Sequence, residues 1–273
     1  MEEAPALRRL SLRLEGSVAH LVLSRPEKAN ALDAPFWQDL HAAFRWLDEA
    51  APVRVVVLSG AGRHFCAGLD HSMLSALRPD PGACPARESE RLRRAILAIQ
   101  ESVTAIERCR KPVIAAIHGA CIGGGLDIVA ACDIRLATHD ARFSVKEVDL
   151  AIVADVGVLQ RLPALVGEGR AREMAFTARE VGGREALSIG LVQQVHGEAG
   201  ALMAAAEALA RHLAAKSPLA LRGTKEVMVR READRIAEGL EHVATLNAGI
   251  LFSRDMEEAL AALAARRPPA FPD

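Results

Sequence analysis

Residues 112–127 read PVIAAIHGACIGGGLD, and the two halves of the stretch follow different rules. Val113 to Ile117 is a short, continuous apolar run between Pro112 and a His-Gly pair, the length and composition of a strand buried on both faces. Gly123, Gly124 and Gly125 then open an apolar helix whose first turn holds Asp127. A buried strand that runs directly into a helix is the building unit of a parallel α/β sheet. The glycines leave backbone N–H groups free at a helix N-terminus, where the dipole favours negative charge. The fold class read from this stretch is α/β, with a potential anion site built into the turn.

The flanking sequence repeats the pattern. Upstream, Leu92, Ala95, Ile96, Ile99, Val103 and Ile106 recur at helical spacing up to Cys109, where Pro112 ends the pattern. The segment 78–89, RPDPGACPARES, is rich in proline and small residues and predicts a surface loop. Val53 to Leu58 is a second buried strand, followed by the turn Ser59 to Gly62 and the loop HFCAGLD at 64–70. Alternation of Leu10, Leu12 and Leu14, then the apolar run Val18 to Leu23, predicts a β-hairpin. Asp33 can cap a helix with Pro35 in its first turn and Phe36, Leu40, Phe44 and Leu47 on one face.

Downstream, Asp133 to Thr138 and Phe143 to Val145 predict short strands, and helices dominate from Val156. A helical appendage beginning near Ser217 and Pro218 divides the chain into a core, 1–216, and a helical C-terminal region, 217–273.

Composition narrows the function classes. Lys+Arg 34 against Asp+Glu 35 gives a net charge of −1, without the basic field that nucleic-acid binding normally requires. Cys66, Cys84, Cys109, Cys121 and Cys132 are odd in number with no C-x-x-C spacing, so reduced thiols are expected rather than a disulfide framework or a zinc site. The nine histidines suggest no metal cluster. No apolar run reaches the roughly 18 residues of a membrane span. The N-terminal residues lack signal- or transit-peptide character, and the C-terminal PPAFPD is not a peroxisomal address. A cytoplasmic protein is the resulting expectation.

Two loops therefore follow apolar strands and end in glycine, FCAGLD and CIGGGLD. Neither carries Gly-Lys-Ser/Thr or GxGxxG spacing, which excludes a phosphate loop and a dinucleotide fingerprint and leaves an oxyanion hole. Between Lys146 and Gly157, KEVDLAIVADVG flanks an apolar run with Glu147, Asp149 and Asp155. Each acid has an ordinary reading: Asp127 favours a helix dipole, Glu147 and Asp149 lie at a strand end, and Asp155 can be an N-cap. Together, two oxyanion loops and separate acids beside apolar sequence point to proton transfer next to a stabilised enolate.

Across almost its whole length the chain resembles the crotonase superfamily, the enoyl-CoA hydratase/isomerase family. SRPEKANALD, FCAGLD, IAAIHGACIGGGLDIVAACDIRLA, LQRLPALVG and EALSIGLV carry the resemblance. Within the family it is most similar to members that convert 3,5-dienoyl-CoA to 2,4-dienoyl-CoA, through ERCRKPVIAAIHGACIGGGLDIVAACDIR and FSVKEVDLAIVADVGVLQRLP. In hydratases the position of Asp127 is typically Glu and that of Asp155 typically Gly.

The resemblance implies a spiral core of repeated ββα units, with the C-terminal helices serving oligomerisation and active-site cover. It implies Glu147 as the base at C2, Asp155 as the acid at C6 and Asp127 as a third acid tuning the pair, while Asp149 makes a structural contact. It places the oxyanion on the N–H groups of Leu69 and Gly124, and the CoA thioester along Cys66, Ala67, Gly68, Leu69, Asp70 and Gly124. Phe252, Arg266 and Arg267 are candidates for further CoA contacts. No cofactor is implied beyond the coenzyme A carried by the substrate. A trimer or dimer of trimers, acting in fatty-acid β-oxidation without nucleic acid or membrane as partner, is the implied setting. Three rivals remain open: a 2-enoyl-CoA hydratase using Glu147 and Asp127 on water, an RNA-binding relative, and a catalytically silent scaffold.

Overall fold

The structure, a computed structural model, describes residues 3–80 and 82–271. The N-terminal hairpin is present: β1 (Leu10–Glu15) pairs antiparallel with β2 (Val18–Leu23), Leu10 opposite Leu23. Asp33 caps α1 (Ala34–Glu49) by accepting the Phe36 N–H at 3.1 Å, with Pro35 in the first turn where no intrahelical donor is needed. β3 (Val55–Gly60), α2 (His71–Leu77), α3 (Pro85–Arg108), β4 (Val113–Ile117), β5 (Ala120–Ile122) and α4 (Gly124–Ala130) follow. Then come β6 (Ile134–Thr138), β7 (Arg142–Ser144), a 3-10 turn Glu147–Leu150, α5 (Val158–Val166) and α6 (Glu168–Thr177). β8 (Val181–Gly182), α7 (Gly183–Ser188), β9 (Gln194–His196), α8 (Ala199–Ala214), α9 (Pro218–Ile250) and α10 (Arg254–Ala265) complete the chain.

Two sheets organise the core. The larger has six strands in the order β1-β2-β3-β4-β6-β9, parallel from β2 onward; the smaller is β5-β7-β8. Each turn of the chain lays one strand in the large sheet, one in the small, and then a helix: β4, β5, α4, and again β6, β7, α5. A parallel bridge between Cys66 and Cys121 extends the same pattern to the turn after β3. The repeated ββα unit of the crotonase-like α/β core is visible in this order.

Strand alternation explains why the central strands are apolar throughout. Val56, Leu58, Ala115 and Ile117 face the main core, while Val55, Val57, Ile114 and Ala116 face Leu202, Ala206, Ala210 and Ala214 of α8. The small residues of α8 let it lie close against the sheet.

Residues after Ser217 form α9, capped by the Ser217 hydroxyl, and α10, capped by Ser253. α9 lies along α3, and Ala244 and Leu251 share a cluster with Leu92 and Ile96. Its first half is pinned by Lys225, which is buried and donates to Asp133 Oδ2 at 2.7 Å and to the Lys111 and Ile106 carbonyls. Lys225→Met leaves those acceptors without their donor, at about 1–3 kcal/mol. The expected result is a lower urea midpoint with an unchanged m-value; an unaltered midpoint refutes the pin.

One expectation needs correction: the predicted loop 78–89 ends early because Pro85 is the first residue of α3, where its fixed φ suits a helix start. Helices dominate after Val156 as expected, and β8 and β9, of two and three residues, are too short for a period to show in the sequence. Among the described residues, no helix is long and apolar enough to cross a membrane.

Candidate active site

The loops that follow β3 and β4 are zipped together. Cys66 N–H donates to the Ala120 carbonyl at 2.9 Å, and Ile122 N–H donates back to the Cys66 carbonyl at 3.0 Å. On the other side, Leu32 N–H donates to Gly68 O at 2.8 Å and Asp70 N–H to Leu32 O at 3.0 Å. Gly68 and Asp70 thus spend their groups on Leu32, and Leu69 between them turns its N–H the other way. That N–H finds no hydrogen-bond partner among the described residues.

Gly124 is the first residue of α4, so its N–H lies outside the intrahelical ladder. Gly123 N–H, by contrast, is committed to the Ser144 carbonyl at 2.9 Å. Two free N–H groups therefore stand on adjoining loops. The turn is tight: Gly123 has a φ of +52°, which favours glycine, and a Cβ on it would lie 3.0 Å from Glu147 Oε1, while one on Gly124 would lie 2.6 Å from Leu32 Cδ1 and oblige that side chain to shift.

Three acids converge beside this turn. Asp127 is 1% exposed in the first turn of α4, and its Oδ1 accepts the Val158 N–H at 2.6 Å, tying the segment before α5 to α4. Glu147 opens the 3-10 turn after β7, and Asp155 lies in the loop beyond it. Glu147 Oε2 and Asp127 Oδ2 are both shut off from solvent without a hydrogen-bond partner among the described residues.

Burial disfavours the charged form, and the neighbouring carboxylates add to that. Glu147 is pushed up to about 7, by desolvation first and then by the charge of Asp155. Desolvation pushes Asp155 up to about 6 against the opposing hydrogen bond from Asn247. Asp127 is raised well above the usual carboxylate range by burial and by Glu147, against the Val158 N–H.

The spacer 150–154 between Glu147 and Asp155 is half-buried apart from Ala154, which is buried, and Ile152 packs on the apolar cluster of Leu92, Ile96 and Leu251. Its far end is clamped from two helices. Gln100 of α3 donates to the Asp155 carbonyl at 2.7 Å and to the Leu240 carbonyl of α9 at 3.0 Å. Asn247 of α9 donates to Asp155 Oδ2 at 2.7 Å and to the Val153 carbonyl at 2.8 Å. The N-cap position of α5 belongs to Gly157, so the helix-cap reading of Asp155 falls.

Other expected residues make contacts of their own within the chain. Cys66 is fully buried and both its backbone groups are committed, so it offers a substrate no surface; burial pushes its thiol up to about 12. Asp70 caps α2 through the Ser72 N–H at 2.8 Å and accepts Arg25 at 2.6 Å, which hold its carboxyl down at about 2. Ala67 is exposed, with its N–H on the Ala29 carbonyl. Asp149 pairs with Lys146 at 2.5 Å on the surface, the structural contact expected of it. Arg267 is engaged by Glu258 at 2.8 Å.

Residues that sequence reasoning missed support the loops. Asn30 donates to the Ala61, His64 and Phe65 carbonyls and so fixes the loop that leads to Leu69. Its signal lay within SRPEKANALD. Gln100 and Asn247 sit inside long helices, where nothing local marks them.

Comparison with known proteins fits this geometry. Residues 13–273 match the Enoyl-CoA hydratase/isomerase family. The chain is 47% identical over 273 residues to the Delta(3,5)-Delta(2,4)-dienoyl-CoA isomerase, peroxisomal, of Arabidopsis thaliana, covering 99% of this chain and 98% of that protein. It is 43% identical over 265 residues to the mitochondrial Delta(3,5)-Delta(2,4)-dienoyl-CoA isomerase of Homo sapiens, covering 95% of this chain and 81% of that protein. Among solved structures, an enoyl-CoA hydratase/isomerase from Pseudoalteromonas atlantica T6c superposes with a TM-score of 0.86 at 26% identity, covering 97% of this chain and 100% of the other.

These relatives correct the cytoplasmic expectation: they are organellar enzymes by name. That expectation had rested on the absence of recognisable addresses, which receptors read and folding physics does not constrain. Glycine-lined donors, buried acids, family match and fold agree, and the chain belongs to the enoyl-CoA hydratase/isomerase family.

Proposed function

We propose that the protein is a Δ3,5-Δ2,4-dienoyl-CoA isomerase, carrying a proton from C2 to C6 of a 3,5-dienoyl thioester in fatty-acid metabolism. The observation that carries the reading is Asp155: a second acid of raised proton affinity, whose charge acts on Glu147 and whose Oδ2 is held by Asn247. Hydration of a single double bond has no use for it.

The chemistry follows from the residues. Glu147 as carboxylate takes a C2 proton, and the electron pair spreads over the thioester oxygen, C2, C4 and C6. The N–H groups of Leu69 and Gly124 receive the charge on oxygen; preorganised donors of this kind contribute about 3–4 kcal/mol each. Asp155 in its protonated form delivers a proton to C6, leaving double bonds at C2 and C4. Nothing is oxidised or reduced, so the substrate's own coenzyme A is the only carrier required. Asp127, neutral in the buried cluster, keeps a further negative charge away from the pair and anchors α5.

The acyl-CoA enters past Ala67, Gly68 and Leu69. α10 packs against the 3-10 turn that carries Glu147, which supports a covering role for the C-terminal region. Leu219, Val227 and Met228 of α9 and Phe176 of α6 are 71–76% exposed, apolar surface suited to a trimer or a dimer of trimers.

Two tests apply. Purified protein given a 3,5-dienoyl-CoA is expected to develop the ultraviolet band of the conjugated 2,4-dienoyl thioester, with little change in crotonyl-CoA; loss of the crotonyl band alone would make it a hydratase. The pH profile is the second. Glu147 gains its base form as pH rises through about 7, and Asp155 loses its acid form as pH rises through about 6. Between those values the pair holds one proton, most of it on Glu147; the productive arrangement, Glu147 ionised and Asp155 protonated, is the minor one, but its population follows the same bell, so kcat/KM is expected to be bell-shaped with its maximum there. A profile flat from pH 5 to 9, on the order of four units, excludes the pair as acid and base.

A further inference from the structure

Asn247 stands in the last turn of α9, 92 residues along the chain from the carboxylate that it touches. It is 0% exposed. Both partners of its amide nitrogen, Val153 O and Asp155 Oδ2, are acceptors, so the amide has only one workable orientation. That orientation leaves Asn247 Oδ1 buried with no partner among the described residues. An unpaired buried carbonyl is unfavourable, and an apolar side chain at this point of α9 would avoid it. The arrangement makes sense if the donated N–H bonds serve Asp155.

We propose that Asn247 is the positioning residue of the C6 acid, setting both the orientation and the proton affinity of Asp155, so that the C-terminal helix is part of the proton-transfer machinery. The inference rests on the reading of Asp155 as that acid. By occupying Oδ2, Asn247 leaves Oδ1 as the oxygen free to carry a proton toward substrate. By donating to the carboxylate it favours the ionised form and opposes burial. Gln100 fixes the same residue through its backbone carbonyl, so side chain and main chain are held separately. The titratable groups around Asp155 are Glu147 from the 3-10 turn and Asp127 from α4, and the charge near Asp127 is Arg161 of α5, itself paired with Glu107 of α3 at 2.9 Å.

The test uses the full-length protein with Asn247→Asp, which keeps the shape, and Asn247→Leu, which removes the polar group. Loss of the donor raises the proton affinity of Asp155, so its acid form survives to higher pH. The optimum of the kcat/KM profile, which lies midway between the two values of the pair, is expected to move up by about half a pH unit in both variants. A residue that only fills space would lower kcat/KM at every pH and leave the optimum in place, which overturns the proposal. Infrared titration of the Asp155 carboxyl in unliganded protein, assigned with Asp155→Asn, is expected to show an upward shift, and an unmoved band also overturns it. If the infrared shift appears while wild type fails to isomerise dienoyl-CoA, control of Asp155 by Asn247 stands and the assigned reaction falls.

Discussion

Glu147→Gln is expected to lower kcat for 3,5-dienoyl-CoA by about 10² to 10⁴-fold, the contribution typical of a positioned acid or base. The substitution preserves shape in a confined place, since Glu147 Oε1 lies 3.0 Å from where a Cβ on Gly123 would be. It removes the group that takes the C2 proton and leaves the N–H groups of Leu69 and Gly124 untouched, so KM should change far less than kcat. Exchange of the C2 protons with deuterated solvent should disappear along with isomerisation.

Stability should move in the opposite direction. The folded-state proton affinity of Glu147 is raised, so whatever it contributes is fully present below its unfolded value near 4.5 and is lost as pH rises through about 7. Glutamine never ionises and escapes that loss. Melting temperatures of the two proteins should agree near pH 4 and favour the variant above pH 7, on the order of the linkage relation. Turnover at the wild-type rate would remove Glu147 from the mechanism, and an unfolded variant would show in the melting curve before any kinetics were interpreted.

The parts of this protein legible in the sequence are those written by local rules. PVIAAI and RVVVL announce buried parallel strands, Pro35 marks a helix start, and the glycines at 123–125 mark the place where a backbone must come close to something. Which acid does what is a tertiary matter. Asp155 reads locally as an N-cap, and only the fold reveals that Gly157 takes that position while Asp155 faces α9. Cys66 lies in FCAGLD, a loop that reads as lining a site, yet its place on the bridge to Cys121 buries it completely. Asn247 and Gln100 carry no local signal at all: a polar residue in a long helix is ordinary until the helix is packed, and here each points inward to an acceptor.

Asp155→Asn should cut isomerisation by the same order, about 10² to 10⁴-fold, but with a different isotopic signature. Glu147 and the two free N–H groups remain, so the dienolate still forms and collapses back at C2. Glu147 is half-buried as a residue, and exchange of its proton with solvent between binding events is the premise of the experiment. Deuterium should therefore enter C2 of the substrate while no 2,4-dienoyl product accumulates. The reverse experiment, starting from 2,4-dienoyl-CoA, should show loss of exchange at C6. This split separates three possibilities that a single rate does not. If both exchanges vanish, the two proton transfers are not independent and Asp155 is not confined to C6. If neither changes and isomerisation persists, Asp155 is a bystander held by Asn247 for structural reasons alone. If hydration of crotonyl-CoA is substantial in wild type and indifferent to Asp155→Asn, the second acid has no part in the main reaction. Exchange at C2 without product is the outcome that the separate clamping of Asp155 predicts, because the residue that starts the reaction and the residue that completes it are held by different elements of the fold.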